Sequence, residues 1–404
     1  MSQHALPGAS HLRLSVPLRG RDPNEPGRAS TPLELFFDLV VVVAVALAAE
    51  RLHHALIDGF GIDTVVSYML VFFGVWWAWA NFSWFASAYD TDDVIYRLGT
   101  FVVMTGALVL AAGVPQVFDE RNFTLAVIGY VIMRVALGVQ WLRVSRDDPL
   151  HGATARRYAI GVAVCQLGWL SLLVVPGIWP IAWLVLVPAE LLLPLWAQRA
   201  GRINFHNEHI AERYGLFMII VLGESVLAAS LAIQTVIGGE SLTLELLSVI
   251  VGGLLILYSM WWIYFDRPEE HLLDSLAAAQ AWNYLHLFIF ASVAAVGAGL
   301  VVGIEEATGH AHVGWQWVGL TIAVPLVIFM VALTLLYVRL PMSLLHRAVV
   351  PVAAVLALVA AFMPMPVLTI GLVLAGTTGF KVWLRFHEHE QAKDEAVSSA
   401  EVSA

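Results

Sequence analysis

Residues 279–302 read AQAWNYLHLFIFASVAAVGAGLVV. The run exceeds the ~20 residues that carry a helix across a bilayer core, and it contains no Asp, Glu, Lys or Arg and the single histidine His286. A segment with no polar face to turn toward water belongs in lipid or in the interior of a bundle. Such runs recur along the chain. Of 404 residues, 59% are hydrophobic and 13% charged, against about half and about a quarter in ordinary globular domains. A soluble enzyme, a disordered chain, a coiled coil and a collagen are excluded by these figures. At ~20 residues per span, the apolar content caps the number of spans at about twelve. Cys165 is the one cysteine and lies in an apolar run, so no internal disulfide can form.

Working outward from 279–302, the apolar runs predict helices near 32–50, 64–86, 98–117, 123–143, 156–175, 178–197, 212–236, 243–265, 279–302, 315–338, 347–363 and 366–385. Residues 1–31 hold Arg13, Arg19, Arg21 and Arg28 among Pro and Gly, without the apolar core of a signal peptide. They read as a disordered cytoplasmic tail, and 386–404 as a second tail. Lys and Arg are retained on the cytoplasmic side of short loops. With twelve spans, all of the 21 basic residues except Arg51, Arg121 and Arg134 fall on the side of the termini. Removing or adding a span would scramble that sorting. The expectation is an all-α membrane protein of about twelve transmembrane helices, with both termini cytoplasmic.

A weak internal repeat is visible. Asn81-Phe82-Ser83-Trp84-Phe85 leads to Tyr89-Asp90, and Ser259-Met260-Trp261-Trp262 leads to Phe265-Asp266. The following spans begin near Tyr96 and Tyr284 and pass through Thr105-Gly106-Ala107 and Val296-Gly297-Ala298. Many transporters are built from such repeats. Two six-helix halves are expected, 32–199 and 212–385, joined by a cytoplasmic linker at 200–211. Gathering of Trp and Tyr at any membrane interface is the plainer explanation.

An ionisable group at the centre of a span costs roughly 3 kcal/mol on insertion scales, so each is a candidate for a pathway or a pair. Asp38, one turn beyond Glu34, Arg134, Glu190, Glu224 in Gly223-Glu224-Ser225, and His286 all fall within spans. Arg134 can neutralise only one of the three carboxylates Asp38, Glu190 and Glu224. At least one acid is therefore expected to titrate. The competing reading is a static Arg134–Asp38 pair, with Glu190 and Glu224 neutral and hydrogen-bonded. Pro188 and Pro194 bracket Glu190, Gly223 precedes Glu224, and Pro325 falls in the tenth span. Each marks a possible helical break lining a cavity, although Gly and Pro are frequent in transmembrane helices without one.

His206, His209 and Glu212 stand at three-residue steps compatible with a metal, but they match no specific ligand motif, and a solvated first helical turn explains them as well. No resident metal and no cofactor are expected. The pairs His53-His54 and His310/His312, and the stretch His387-Glu388-His389-Glu390, read as solvated surface. Trp76, Trp77, Trp79 and Trp84, and in the eighth span Tyr258, Trp261, Trp262, Tyr264 and Phe265, read first as an interface belt. Trp76 and Trp77 lie deep enough to line an aromatic pocket instead.

Two stretches resemble the bacterial low temperature requirement A (LtrA) membrane proteins. One is Pro32-Leu33-Glu34-Leu35-Phe36-Phe37-Asp38-Leu39-Val40. The other runs from His209-Ile210-Ala211-Glu212-Arg213-Tyr214-Gly215-Leu216-Phe217 on to Ile219-Ile220-Val221-Leu222-Gly223-Glu224-Ser225-Val226-Leu227. The likeness spans about 31–385, and departs after Val40, where a plain Val/Ala run replaces the family's mixed aromatic stretch. The resemblance implies a multipass bacterial inner-membrane protein and singles out Glu34, Phe37, Asp38, His209, Glu212, Arg213, Gly223, Glu224 and Ser225. It implies no reaction.

No phosphate-binding loop ending in Gly-Lys-Ser/Thr is present, so active transport would draw on an ion gradient. The leading expectation is a secondary transporter, proton- or ion-coupled, for a small solute. Asp38 and Glu224 would titrate, Glu190 would be a secondary acid and Arg134 the countercharge, with Ser225 and His286 lining the route. The partners expected are membrane lipid and that solute or a proton, with no nucleic acid. The alternatives are an intramembrane enzyme acting on a lipid or isoprenoid at the His209/Glu212 region, a channel, and a non-catalytic membrane-adaptation factor.

Overall fold

The computed structural model describes residues 13–175, 177–237, 242–266, 270–340 and 342–402, with side chains omitted at 228–229, 231–233, 235–237, 270–271 and 388–402. Arg267, part of the basic sorting, lies outside the described residues, as do residues 1–12 of the expected tail and the side chains of Lys393 and of Glu388-His389-Glu390. Among the described residues every regular element is helical. The helices are α1 (Pro32–Asp58), α2 (Ile62–Tyr89), α3 (Val94–Glu120), α4 (Thr124–Asp147), α5 (Gly152–Val174), α6 (Trp179–Ala197), α7 (Asn207–Ile237), α8 (Leu244–Tyr264), α9 (Leu276–Thr308), α10 (Trp315–Leu336), α11 (Leu344–Ala360) and α12 (Pro366–Val402). Ten of them are long and apolar enough to cross a membrane. Twelve helices thus stand where the hydropathy placed twelve spans. The helices also run through the candidate breaks, with Pro188 and Pro194 inside α6, Pro325 inside α10 and Gly223 inside α7.

The chain divides into two compact units, one comprising residues 1–44 and 73–213, the other 45–72 and 214–404. This partition follows contacts rather than repeats, and the two-half reading of 32–199 and 212–385 remains an expectation of the sequence. In the first unit α3 packs on α4, α4 on α5 and α5 on α6. A Cβ added to Gly106 of α3 would stand 2.8 Å from the carbonyl oxygen of Gly129 in α4, so the two backbones approach at a point where only glycine fits.

Residues 13–31, read from the sequence as part of a disordered tail, make contacts along the helix ends of the first unit. Val16 N–H donates to Asp93 Oδ2 at 2.8 Å, Leu18 N–H to Asp147 Oδ2 at 3.1 Å, and Arg21 N–H to the Ala88 carbonyl at 2.9 Å. The Arg28 guanidinium donates to the carbonyls of Ala86 and Ser87 at the end of α2, where unpaired carbonyls and the helix dipole favour a cation. Leu18 is fully buried. A composition rich in Arg, Pro and Gly reads as solvated, but these backbone donors find acids at helix ends that hydropathy does not reveal.

In the second unit α9 packs on α10, α8 on α12, and α11 on both α10 and α12. A Cβ on Gly371 of α12 would lie 2.7 Å from the Gly252 carbonyl oxygen of α8.

Candidate functional site

Two buried charge clusters occupy the first unit. In the first, Glu34 and Asp38 stand four residues apart on α1, and His209 and Arg213 four apart on α7. That spacing puts each pair on one helix face. Arg213 Nη2 donates to Asp38 Oδ1 at 2.6 Å and to Ser83 Oγ at 3.2 Å. Its Nη1 lies 3.4 Å from Glu34 Oε1, as does His209 Nε2. Trp79 Nε1–H donates to Asp38 Oδ1 at 2.7 Å, and Thr31 donates its N–H and hydroxyl to Glu34 Oε2. Phe37, adjoining Asp38, packs its ring on Phe82 with centroids 4.4 Å apart. All four charged or titratable side chains are nearly inaccessible to solvent. Among the described residues Asp38 Oδ2 and His209 Nδ1 have no hydrogen-bond partner, while His209 Nε2 faces Glu34.

The second cluster is built on α2, α4, α5 and α6. Arg134 Nη2 donates to Glu190 Oε2 at 2.8 Å, and Trp77 Nε1–H donates to the same oxygen at 3.1 Å. Glu190 Oε1 accepts from the Tyr130 hydroxyl at 3.0 Å, Gln166 Nε2 at 2.9 Å and Trp169 Nε1 at 3.3 Å. A carboxylate offers about four lone-pair positions, and five donors converge on this one. Its acceptor capacity is filled.

The static Arg134–Asp38 pair weighed from the sequence is therefore corrected, since Arg134 is paired with Glu190 and Asp38 with Arg213. So is the assignment of Arg213 to a cytoplasmic loop. Hydropathy started the seventh helix at 212, but α7 begins at Asn207, which carries Arg213 nearly two turns into the helix and into the interior. Two buried arginines, rather than one, answer the buried acids. Trp76, Trp77 and Trp79 are core side chains, and the last two serve as donors to the two clusters. In the second unit Tyr258, Trp261, Trp262 and Phe265 are exposed, as a membrane-facing belt requires.

The remaining predicted residues lie in the second unit and are not brought together by direct contact. His286 Nδ1–H donates to the Trp282 carbonyl at 2.8 Å, which leaves Nε2 to accept from the Tyr264 hydroxyl at 3.0 Å. Its neutral tautomer is fully satisfied. Ser225 Oγ–H donates to the Val293 carbonyl at 3.3 Å. Glu224 is half-buried, beside the exposed Gly223, and makes no hydrogen bond or ion pair among the described residues. An apolar groove of about 450 Å³, bordered by Leu56, Tyr68, Phe288 and Trp317, contains none of the predicted site residues.

The three-residue ladder before α7 is divided among separate partners. His206 accepts from His209 N–H and donates to the Glu25 carbonyl, His209 faces Glu34, and the exposed Glu212 lies 3.4 Å from Ser30 N. Among the described residues no three or more His, Cys, Asp or Glu side chains are placed to hold a metal ion.

Acids at the helix ends of this face are tuned in opposite directions. Burial, reinforced by the negative charge of Glu34, raises Asp90 to about 6. Burial also pushes Asp93 up, but the N–H groups of Val16 and Tyr96 and the Arg143 guanidinium outweigh it and hold Asp93 below the usual carboxylate range. Asp148 is lowered in the same manner, against its burial, by His151, two backbone N–H groups and Tyr89.

Residues 29–381 match the family model described as Bacterial low temperature requirement A protein (LtrA). An uncharacterised protein of Rhizobium meliloti (strain 1021) is 28% identical over 297 residues, covering 70% of each chain. Glu34, Asp38, His209 and Arg213, the residues of the α1–α7 cluster, all fall inside the matched region. A family match over most of the length, on a helical chain with spans of this kind, makes this protein a multipass membrane protein of the bacterial low temperature requirement A family.

Proposed function

We propose that the protein is a proton-coupled secondary transporter of the bacterial inner membrane, with both termini cytoplasmic, in which the α1–α7 cluster carries one exchangeable proton. The observation that supports this is a charge count. Glu34 and Asp38 share a dry interior in which Arg213 is, among the described residues, the one guanidinium in ion-pair contact with them, Arg28 acting on Glu34 only from a longer distance. The set balances when one proton resides on Asp38, Glu34 or His209, and carries an uncompensated negative charge when it leaves. An unpaired buried charge is expensive, so release of that proton strengthens the demand of both carboxylates on Arg213 and draws α1 and α7 together. Among the described residues, Asp38 Oδ2 and His209 Nδ1 are positions without a partner that a proton could use. Glu190, saturated by donors, serves this reading as fixed structure with Arg134. Glu224 is the second titrating acid, and Ser225 and His286 hold the packing of the second unit. The sorting of the basic residues supports the orientation.

The test is the current evoked by pH jumps on a solid-supported membrane carrying proteoliposomes. A response lost in Asp38→Asn and Glu34→Gln but kept in Glu212→Gln, whose side chain is exposed, is the expected result. Unchanged currents in both buried-acid variants would overturn the mechanism.

A further inference from the structure

A second feature, independent of the proton cluster, lies in the second unit where α8 and α10 end and α11 begins. The chain there encloses a hollow of about 80 Å³, too small for a drug-sized solute and large enough for a phosphate-sized group. Its lining includes the hydrocarbon side chains Ile263, Leu333 and Val350 together with Asp266, His346, Arg347 and Lys381. Among the described residues that line it, Asp266 is the one acid. That carboxylate is already held on both sides, by Lys381 Nζ at 2.8 Å and by Arg385 Nη2 at 3.1 Å. Arg347 is exposed, with one contact from Nη2 to the Leu340 carbonyl at 3.2 Å. Among the described residues that line the hollow, two permanent cations, Arg347 and Lys381, thus stand beside one anion.

The N-terminal turn of α11 adds to the excess. Ser343 caps the helix, its Oγ accepting from His346 N–H and contacting His346 Nδ1 at 3.0 Å. Arg347 follows on that first turn, where the helix dipole is positive. Beside the hollow, Leu344, Leu345 and Val338 are exposed apolar side chains, a surface suited to acyl chains rather than water.

We propose that this hollow binds the phosphate of an anionic phospholipid, with Arg347 as the headgroup contact and its acyl chains against the adjoining apolar surface. The excess of cations among the described lining residues selects an anion, and the hydrocarbon lining and flank select one that carries fatty chains. Basic pockets between transmembrane helices take anionic headgroups on this physical ground.

The experiment uses the full chain in detergent, with lipid retention measured by native mass spectrometry against phosphatidylglycerol and phosphatidylcholine of identical acyl chains. Wild type is expected to retain phosphatidylglycerol preferentially. Arg347→Gln should reduce that preference about fivefold, the worth of one basic residue at an anionic surface, and Arg347→Glu should abolish it. Because Arg347 is exposed, both variants are expected to fold, which their thermal unfolding in phosphatidylcholine-doped detergent verifies. Equal retention of the two lipids would overturn the proposal, as would a preference indifferent to both substitutions. If inorganic phosphate at millimolar concentration displaces phosphatidylglycerol, the site is one for soluble anions and the lipid assignment fails.

Discussion

Glu190 and Asp38 are both buried carboxylates beside an arginine, yet their hydrogen-bond surroundings differ. Glu190 meets five donors, while Asp38 has both of its donors on one oxygen and none on the other. Removing one member of a buried pair leaves the other charged and desolvated, at a cost of about 3–5 kcal/mol. Arg134→Met is therefore expected to lower stability by that amount, read as a fall in the thermal midpoint in detergent; a midpoint within error of wild type would contradict the pairing. Asp90 gives a pH-dependent prediction. Its folded value, raised to about 6, means that its contribution is fully present below the unfolded carboxylate range and is lost as pH rises through about 6. Asp90→Asn should then stabilise the protein at pH 8 and have little effect below pH 4, as thermal unfolding at the two values will show. Asp93 and Asp148 have the opposite sign, stabilising above the ordinary carboxylate range and losing that contribution as pH falls through their depressed values. The buried acids and Arg134 were legible in the sequence because charge stands out in apolar runs. The partners were less so. Arg213 is disguised by its position near a helix start, and its one available signal is spacing, since Glu34/Asp38 and His209/Arg213 each repeat at four residues. Trp77, Trp79, Tyr130, Gln166 and Trp169 carry no charge, so hydropathy counts them as ordinary lining.

Helices rather than their ends were readable. Apolar runs located all twelve, but α1 continues through the polar stretch Glu50–Asp58 and α7 starts at Asn207, because a helix extends past the bilayer core wherever its polar residues keep their backbone bonds. Packing between helices was invisible to hydropathy, which does not distinguish a lipid-facing glycine from one at a crossing. Gly106 and Gly129 mark such a crossing between α3 and α4. Gly129→Leu inserts a side chain where backbone already sits, and overpacking of this kind costs about 1–3 kcal/mol. Loss of thermal stability in that variant, with none in Gly376→Leu, where open space surrounds the glycine, is the expected pattern. Equal behaviour of the two would remove the close approach from the account.

At the level of the whole chain, 59% apolar content fixes the solvent, and the sorting of basic residues supports one orientation in it. With Arg213 moved from loop to interior, the remaining loop cations still favour the same face, so cytoplasmic accessibility of introduced cysteines near both termini is the matching expectation. The proposed proton coupling turns on whether Glu34, Asp38, His209 and Arg213 together hold one mobile proton. Infrared difference spectroscopy of the purified protein, titrated with pH, reads the C=O stretch of a protonated carboxyl directly. A titrating band that is altered by Asp38→Asn or Glu34→Gln and unaffected by Glu212→Gln is predicted. A band indifferent to both buried-acid substitutions, or no titrating carboxyl band at all, would contradict the central claim.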